Sequence, residues 1–225
     1  HNNFMALALK LAERGDERTK PNPKVGALIV KDGNLVSTGY HIEAGKGHAE
    51  VIAIEKAGND AKGGTLYVTL EPCAHYSKTP PCVDLIIKSG IKQVVIACRD
   101  PNPQVNGKGL DELRANNIDI VENILHEQAK ELNVGFFSRM STGMPYVRSK
   151  IASSIDGKTS LMNSESKWIT SDHARKDVQK WRKQACAIIT GSGTVNNDNP
   201  RLNVRSSGPN EQPYRVILDT HLSIN

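Results

Sequence analysis

EPCAHYSKTPPC, residues 71–82, joins a run of strand character, TLYVTL at 65–70, to a helical pattern, PCVDLIIK at 81–88. Threonine, tyrosine and valine suit a pleated, buried strand, and a proline in the first helical turn gives up no hydrogen bond. The segment therefore reads as strand, loop and helix, with Gly90 as the helix stop. The loop sets Cys73 and Cys82 nine positions apart, with His75 and three prolines around them. A disulfide, a metal site and a pair of inert buried thiols are the readings to separate.

The same alternation continues on both sides. Upstream, Phe4, Leu7, Ala8 and Leu11 repeat at helical spacing, and Gly15 follows. VGALIVK at 25–31 reads as a strand, Asp32-Gly33 as a hairpin turn, and 35–40 as its return. HAEVIAIEKA at 48–57 reads as a helix stopped by Gly58. Downstream, a strand is expected at 93–98, a short helix at 110–116, a short strand at 118–121 and a longer helix at 124–137. Helices alternating with strands imply an α/β layered sheet. SRMSTGMP at 138–145 breaks the pattern, so a domain boundary is expected between residues 144 and 145. Beyond it, a strand at 146–152, a helix at 172–184 and strands at 185–190 and 214–218 are expected.

Bulk composition narrows the classes. Of 225 residues, 38% are apolar and 24% charged, which is globular rather than disordered. Aromatics make up only 4%, so aliphatic side chains must fill the core. The net charge of +5 permits an anionic substrate without requiring one. No apolar run reaches the ~20 residues of a membrane helix. Four cysteines are too few for a disulfide framework, which favours a cytoplasmic protein with reduced thiols and a metal at Cys73 and Cys82.

HAE at 48–50 supplies the missing donor. Zinc takes imidazole nitrogen and thiolate sulfur, and a catalytic site uses three protein ligands with the fourth position open. His48, Cys73 and Cys82 make such a set, for one zinc ion per chain. His48 and Cys82 both fall at expected helix starts, where the dipole favours negative charge. Glu50, two residues after His48, can take a proton from activated water and return it to a leaving amine. Zinc deaminases use an H-x-E motif in this way. A structural zinc module is the non-enzymatic alternative, with His75 closing the site as a fourth ligand. A nucleic-acid-editing deaminase is the other. Its usual P-C-x-x-C spacing and a basic stripe interleaved with aromatics are both missing here.

With His48-Ala49-Glu50, PCAHYSKTPPC at 72–82 and PNPKVGA at 21–27, the chain resembles the bifunctional riboflavin-biosynthesis deaminase/reductase family. The family pattern is HAE followed by PCxHxGxTPPC, and Ser77 here takes the place of the family glycine. The resemblance implies a cytidine-deaminase-like three-layer α/β/α domain over 1–144, followed by a dihydrofolate-reductase-like α/β domain that is incomplete at 145–225. It implies hydrolytic deamination of 2,5-diamino-6-(ribosylamino)-4(3H)-pyrimidinone 5′-phosphate. NADPH-dependent reduction of the ribosyl to the ribityl chain would follow. Asn22, His41, His75 and Lys78 then fall at deaminase substrate positions. Asn22 can equally be a turn former, His41 a surface histidine and Lys78 a solvated loop lysine.

The second half says less by itself. GSGTVNNDNPRLNVR at 191–205 is loop-like, either a phosphate-binding loop or an ordinary surface loop. KIASSIDGKT, ESKWIT and GTVNNDNPRL carry the family resemblance, with Ser164 at a glycine position. By that resemblance Ala152, Trp168, Thr194 and Asp198 contact NADPH, and Ser166, Arg182, Leu202 and Arg205 contact the sugar phosphate. The plainer readings are a core aromatic for Trp168 and an exposed helix residue for Arg182. The partners implied are a small pyrimidine nucleotide, no nucleic acid and no membrane, in an assembly of identical subunits.

Overall fold

The computed structural model describes residues 1–76, 80–103, 105–163, 165–205 and 212–224. Ser77, Lys78 and Ser164 lie outside the described residues. The chain divides into two compact units, His1–Val147 and Arg148–Asn225, a few residues beyond the break expected from sequence.

The first unit runs α1 (Asn2–Ala12), β1 (Gly26–Lys31), β2 (Asn34–Tyr40), α2 (Ala49–Ala57), β3 (Thr65–Val68), α3 (Cys82–Lys88), β4 (Gln93–Ile96), α4 (Lys108–Ala115), β5 (Asp119–Val121), α5 (His126–Leu132) and α6 (Val134–Thr142). The sheet order is β2-β1-β3-β4-β5. β1 pairs antiparallel with β2 and β3, while β3–β4 and β4–β5 are parallel. The hairpin turn is the expected Asp32-Gly33, with both residues at positive φ (50° and 77°), as a two-residue primed turn requires.

Strand alternation sorts the core into two layers. Ala27, Ile29, Leu66, Val68, Val94 and Ile96 face one way and pack with Ala53 and Ile54 of α2, Val83 and Ile86 of α3, and Leu110 and Leu113 of α4. Leu28, Val30, Tyr67 and Val95 face the other way and pack with Met5, Ala8 and Leu9 of α1, Ala129 of α5 and Phe137 of α6. This is the α/β/α sandwich, and both faces of its parallel strands are covered. Two glycines let the layers close. A Cβ on Gly26 would sit 2.0 Å from the Ala8 carbonyl oxygen, and one on Gly39 would sit 2.3 Å from that of Ala49.

Three expectations need correction. The helix expected at 124–137 is two helices, because Asn133 leaves helical geometry at φ −119°. The Asn133 side chain instead clamps the Lys24 backbone, accepting from its N–H at 2.8 Å and donating to its carbonyl at 2.9 Å. The break expected from 138 is helical as far as Thr142, where Gly143 ends α6 at φ 71°. Residues 146–152 form no strand, since no described segment pairs with them.

The second unit contains α7 (Asp172–Gln184), β6 (Ala187–Gly191), α8 (Ser192–Asp198) and β7 (Tyr214–Leu218). β6 and β7 form a two-stranded parallel sheet. Ser171 caps α7 by accepting from the Ala174 N–H at 3.3 Å. The stretch expected to be loop at 191–205 begins with α8, a short helix following β6 directly.

Candidate metal centre

The first unit gathers its functional groups where β3 and β4 end, the edge at which open α/β sheets place ligands. β3 leads into the Glu71–Cys73 loop and β4 into the loop bearing Asp100 and Asn102. The Glu71 N–H donates to the Cys98 carbonyl at 3.0 Å. Gly109 lets the loop sit tight on α4, because a Cβ there would lie 2.3 Å from the Pro72 carbonyl oxygen. His48 caps α2 in an extended conformation, and Glu50 follows in its first turn. Cys82 opens α3, and its N–H donates to the Cys73 sulfur at 3.4 Å.

These elements bring three donors together. His48 Nδ1 lies 3.2 Å from Cys82 Sγ and 3.5 Å from Cys73 Sγ. All three donor atoms fall within 4.8 Å of one another. All four cysteines are free, so no disulfide joins Cys73 to Cys82. The cluster shares protons where a cation would sit. Hydrogen bonding with Cys82, reinforced by His48, drives the Cys73 thiol down, and Cys82 is driven up as its proton-holding partner. His48 is raised to about 9, chiefly by its hydrogen bond with Cys73. One imidazole and two thiols with room for a fourth ligand fit zinc. His75 stands outside the group of three, so among the described residues nothing closes the site.

A cavity of about 260 Å³ opens beside the cluster, lined among others by Asn22, His41, Glu50, Glu71, His75 and Asp100. Glu50 is buried, its Oε2 meets no described partner, and burial raises its carboxyl to about 7. The Asn22 N–H closes a turn on the Thr19 carbonyl at 2.8 Å, while its side chain sits 3.3 Å from His41 Nε2. Asn22 is thus both a turn former and a cavity residue. His41 is not a surface histidine. It is buried, its Nδ1 is 3.3 Å from the Gly47 carbonyl, and burial pushes its pKa down. Lys78 falls outside the described residues.

In the second unit the candidate residues assemble only in pairs. Ser166 Oγ and Asp198 Oδ1 lie 3.3 Å apart. Arg182 donates to the Asn203 carbonyl at 3.2 Å, and Arg205 to the Asn203 side chain at 3.0 Å. Burial, with Arg205 nearby, lowers the Arg182 pKa. Trp168 is 71% exposed, so it is no core aromatic, and the Arg175 guanidinium lies 4.3 Å from its ring centre. Trp168 and Ser166 line a cavity of about 270 Å³ that Ala152, Thr194, Asp198, Arg182, Leu202 and Arg205 do not line.

Residues 1–98 match the cytidine and deoxycytidylate deaminase zinc-binding region, and residues 145–225 match the RibD C-terminal domain. The riboflavin biosynthesis protein RibD of Bacillus amyloliquefaciens is 52% identical over 221 residues, covering 98% of this chain and 60% of that protein. The chain is similar to RibD proteins over nearly its whole length. Acinetobacter baumannii RibD superposes with a TM-score of 0.93 at 51% identity, over 100% of this chain and 64% of that one. A Thermotoga maritima diaminohydroxyphosphoribosylaminopyrimidine deaminase/5-amino-6-(5-phosphoribosylamino)uracil reductase superposes at 0.91 with 46% identity, over 97% and 62% of the two chains. This chain spans about 60% of the length of the curated RibD relatives it matches. Among the described residues no helix is long and apolar enough to cross a membrane.

Sequence reading missed several residues of the first cavity: Asp100, Asn102, Phe136, Arg139 and Met140 line it, and Glu71 was quoted without a role. The signal for Asp100 and Asn102 was positional, since RDPN at 99–102 follows a parallel strand. Glu71 Oε2 accepts from the N–H groups of Asp100 (3.2 Å) and Gly107 (3.0 Å), which ties the two strand-end loops together. Burial raises Asp100 to about 6.

Proposed function

We propose that residues 1–144, within the first unit, form a zinc-dependent deaminase. Its substrate is 2,5-diamino-6-(ribosylamino)-4(3H)-pyrimidinone 5′-phosphate, in riboflavin biosynthesis. The observation that carries this reading is the convergence of His48, Cys73 and Cys82 beside the buried carboxyl of Glu50. Those three residues would hold the ion. Zinc bound there supplies Lewis acidity that brings the pKa of water toward neutrality.

The remaining work falls to this chain's side chains. Water adds at the ring carbon bearing the amine, and ammonia leaves, so the C–N bond is exchanged for a carbonyl. Glu50 takes the proton from water and delivers it to the departing nitrogen. Its unpaired oxygen and its burial suit it to move a proton without losing it to solvent. Asn22, His41, His75 and Lys78 are assigned to the substrate, and the Asn22–His41 contact orients two of them.

Residues 145–225 are assigned to the NADPH-dependent reductase of the same family, which converts the ribosyl to the ribityl chain. Ala152, Trp168, Thr194 and Asp198 are assigned to NADPH, and Ser166, Arg182, Leu202 and Arg205 to the sugar phosphate. The paired arginines support a phosphate role, since guanidinium groups bind phosphate in bidentate fashion. The protein is assigned to the cytoplasm as an assembly of identical subunits, with no nucleic-acid or membrane partner.

The test is ammonia release from the phosphorylated diaminopyrimidine, with zinc counted in the same samples. Glu50→Gln should keep its zinc and lose about a hundredfold or more in kcat. Retained turnover in that variant removes Glu50 from the proton-transfer role. Absence of release from zinc-loaded wild-type protein overturns the substrate assignment.

A further inference from the structure

The deaminase cavity is polarised by charge. Glu50, at the start of α2, and Glu71 and Asp100, on the strand-end loops, put three buried carboxyl groups on its lining. α6 approaches from the other helical layer, burying Phe137 in the core that α1 shares. Its residues Phe136, Arg139 and Met140 stand at i, i+3 and i+4, which is one helical face, and that face lines the cavity. Arg139 is the only arginine or lysine among the described lining residues.

The guanidinium also has a backbone contact. Arg139 Nη2 donates to the Pro21 carbonyl at 3.2 Å, and Pro21 precedes Asn22 on the cavity wall. At the N-terminus of α6, the Asn133 amide clamps the backbone of Lys24 from the same loop. The loop and α6 are thus fastened at two points. Arg139 is an exposed residue whose guanidinium meets a neutral acceptor, with no carboxylate partner among the described residues. A guanidinium keeps several N–H donors when one is used, and an anion can take the others.

We infer that Arg139 binds the 5′-phosphate of the deaminase substrate and sets its direction in the cavity. This rests on the deaminase reading above and names the group that reads the substrate's anionic end. The amine-bearing ring goes to the carboxylate-lined end beside the zinc donors, and the phosphate goes to the α6 wall. Reversing the substrate would put phosphate against Glu71 and Asp100, which like-charge repulsion disfavours.

The experiment compares ammonia release from the phosphorylated substrate and from its dephosphorylated ribosyl counterpart. Wild-type, Arg139→Ala and Arg139→Lys proteins are each checked for zinc content. Losing a charge-assisted contact should raise the KM of Arg139→Ala for the phosphorylated compound about ten- to a hundredfold. Its KM for the dephosphorylated compound should stay within about threefold of wild type, and Arg139→Lys should fall between, keeping charge without the planar fork. Equal losses on both compounds would mean that Arg139 only props the Pro21 loop, and would overturn the proposal. So would an unchanged KM for the phosphorylated compound. Wild-type protein inactive on both compounds would instead overturn the deaminase reading, and this proposal with it.

Discussion

Ile96 in β4 and Ile217 in β7 sit in strands of similar apolar content, yet Ile96 is fully buried and Ile217 is 39% exposed. The contrast holds across the two units. In the first, both faces of the sheet meet helices, and the apolar side chains of β1, β3 and β4 are all buried. In the second, all five residues of β7 are exposed, and among the described residues only Leu202, Val204 and Pro213 are buried apolar ones. A two-stranded parallel sheet has too few neighbours to hide its faces, because parallel sheets rely on cover from both sides. The sites differ in the same sense. Three donors lie within 4.8 Å in the covered unit, while the candidate residues of the other meet only in pairs. Convergence of side chains from distant segments follows from a core that fixes the strand ends.

The largest effect should come from breaking the donor set. Cys82→Ser removes one of three ligands and should take zinc content from about one per chain to near zero, abolishing ammonia release with it. Chelating zinc from the wild type should speed amide exchange in α2 and α3, whose N-terminal ends carry His48 and Cys82, since metal affinity is folding energy. Exchange in α7 and β7 should not change. Equal loosening of both units would dissolve the comparison between them, and unchanged zinc in Cys82→Ser would remove that residue from the ligand set.

How much of this was readable beforehand follows the same division. In the first unit, short apolar runs, the Asp32-Gly33 turn and Gly58 marked the elements closely, because local chemistry and burial agreed there. HAE and the two cysteines were legible because zinc demands particular donor atoms. Arg139 was not, since nothing local distinguishes a cavity arginine from a solvated one; only the packing of α6 against the Pro21 loop does. Asn133 was read as helix because its role is a contact with Lys24, far away in sequence. In the second unit, apolar residues at 146–152 looked like a strand, but a strand exists only with a partner, and no described segment supplies one. The residues named there came from resemblance, and the local pattern alone left them as loop.

A matched pair of substitutions measures the contrast directly. Ile96→Ala opens a cavity in a sealed layer and should cost the first unit about 2–5 kcal/mol. Ile217→Ala removes a side chain that is already 39% exposed and should cost its own unit less, about 1 kcal/mol. Hydrogen exchange resolved by segment reads both. A cost at Ile217 equal to that at Ile96 would show that β7 is covered in solution, by a second copy of the chain or another partner.

The smallest effect concerns how the first unit holds the loop that carries Asp100. Arg99 donates to Glu122 through Nε at 2.7 Å and Nη2 at 3.1 Å, and Arg114 of α4 donates to the same carboxylate at 2.5 Å. Hydrogen bonding from Arg99, with help from Arg114, holds the Glu122 carboxyl below its ordinary value. The sign follows. A carboxyl with a depressed folded pKa binds fewer protons folded than unfolded, so it contributes stability above the ordinary glutamate value of about 4.3. That contribution is lost as pH falls through the folded value. Arg99 is half exposed, so screening keeps the gain to about 1 kcal/mol or less. Glu122→Gln should therefore lower the denaturant midpoint of the first unit slightly at pH 7, and the gap to wild type should close on acidification. A gap that persists in acid would mean that Glu122 acts through packing, and that the Asp100 loop is held by Glu71 without help from this ion pair.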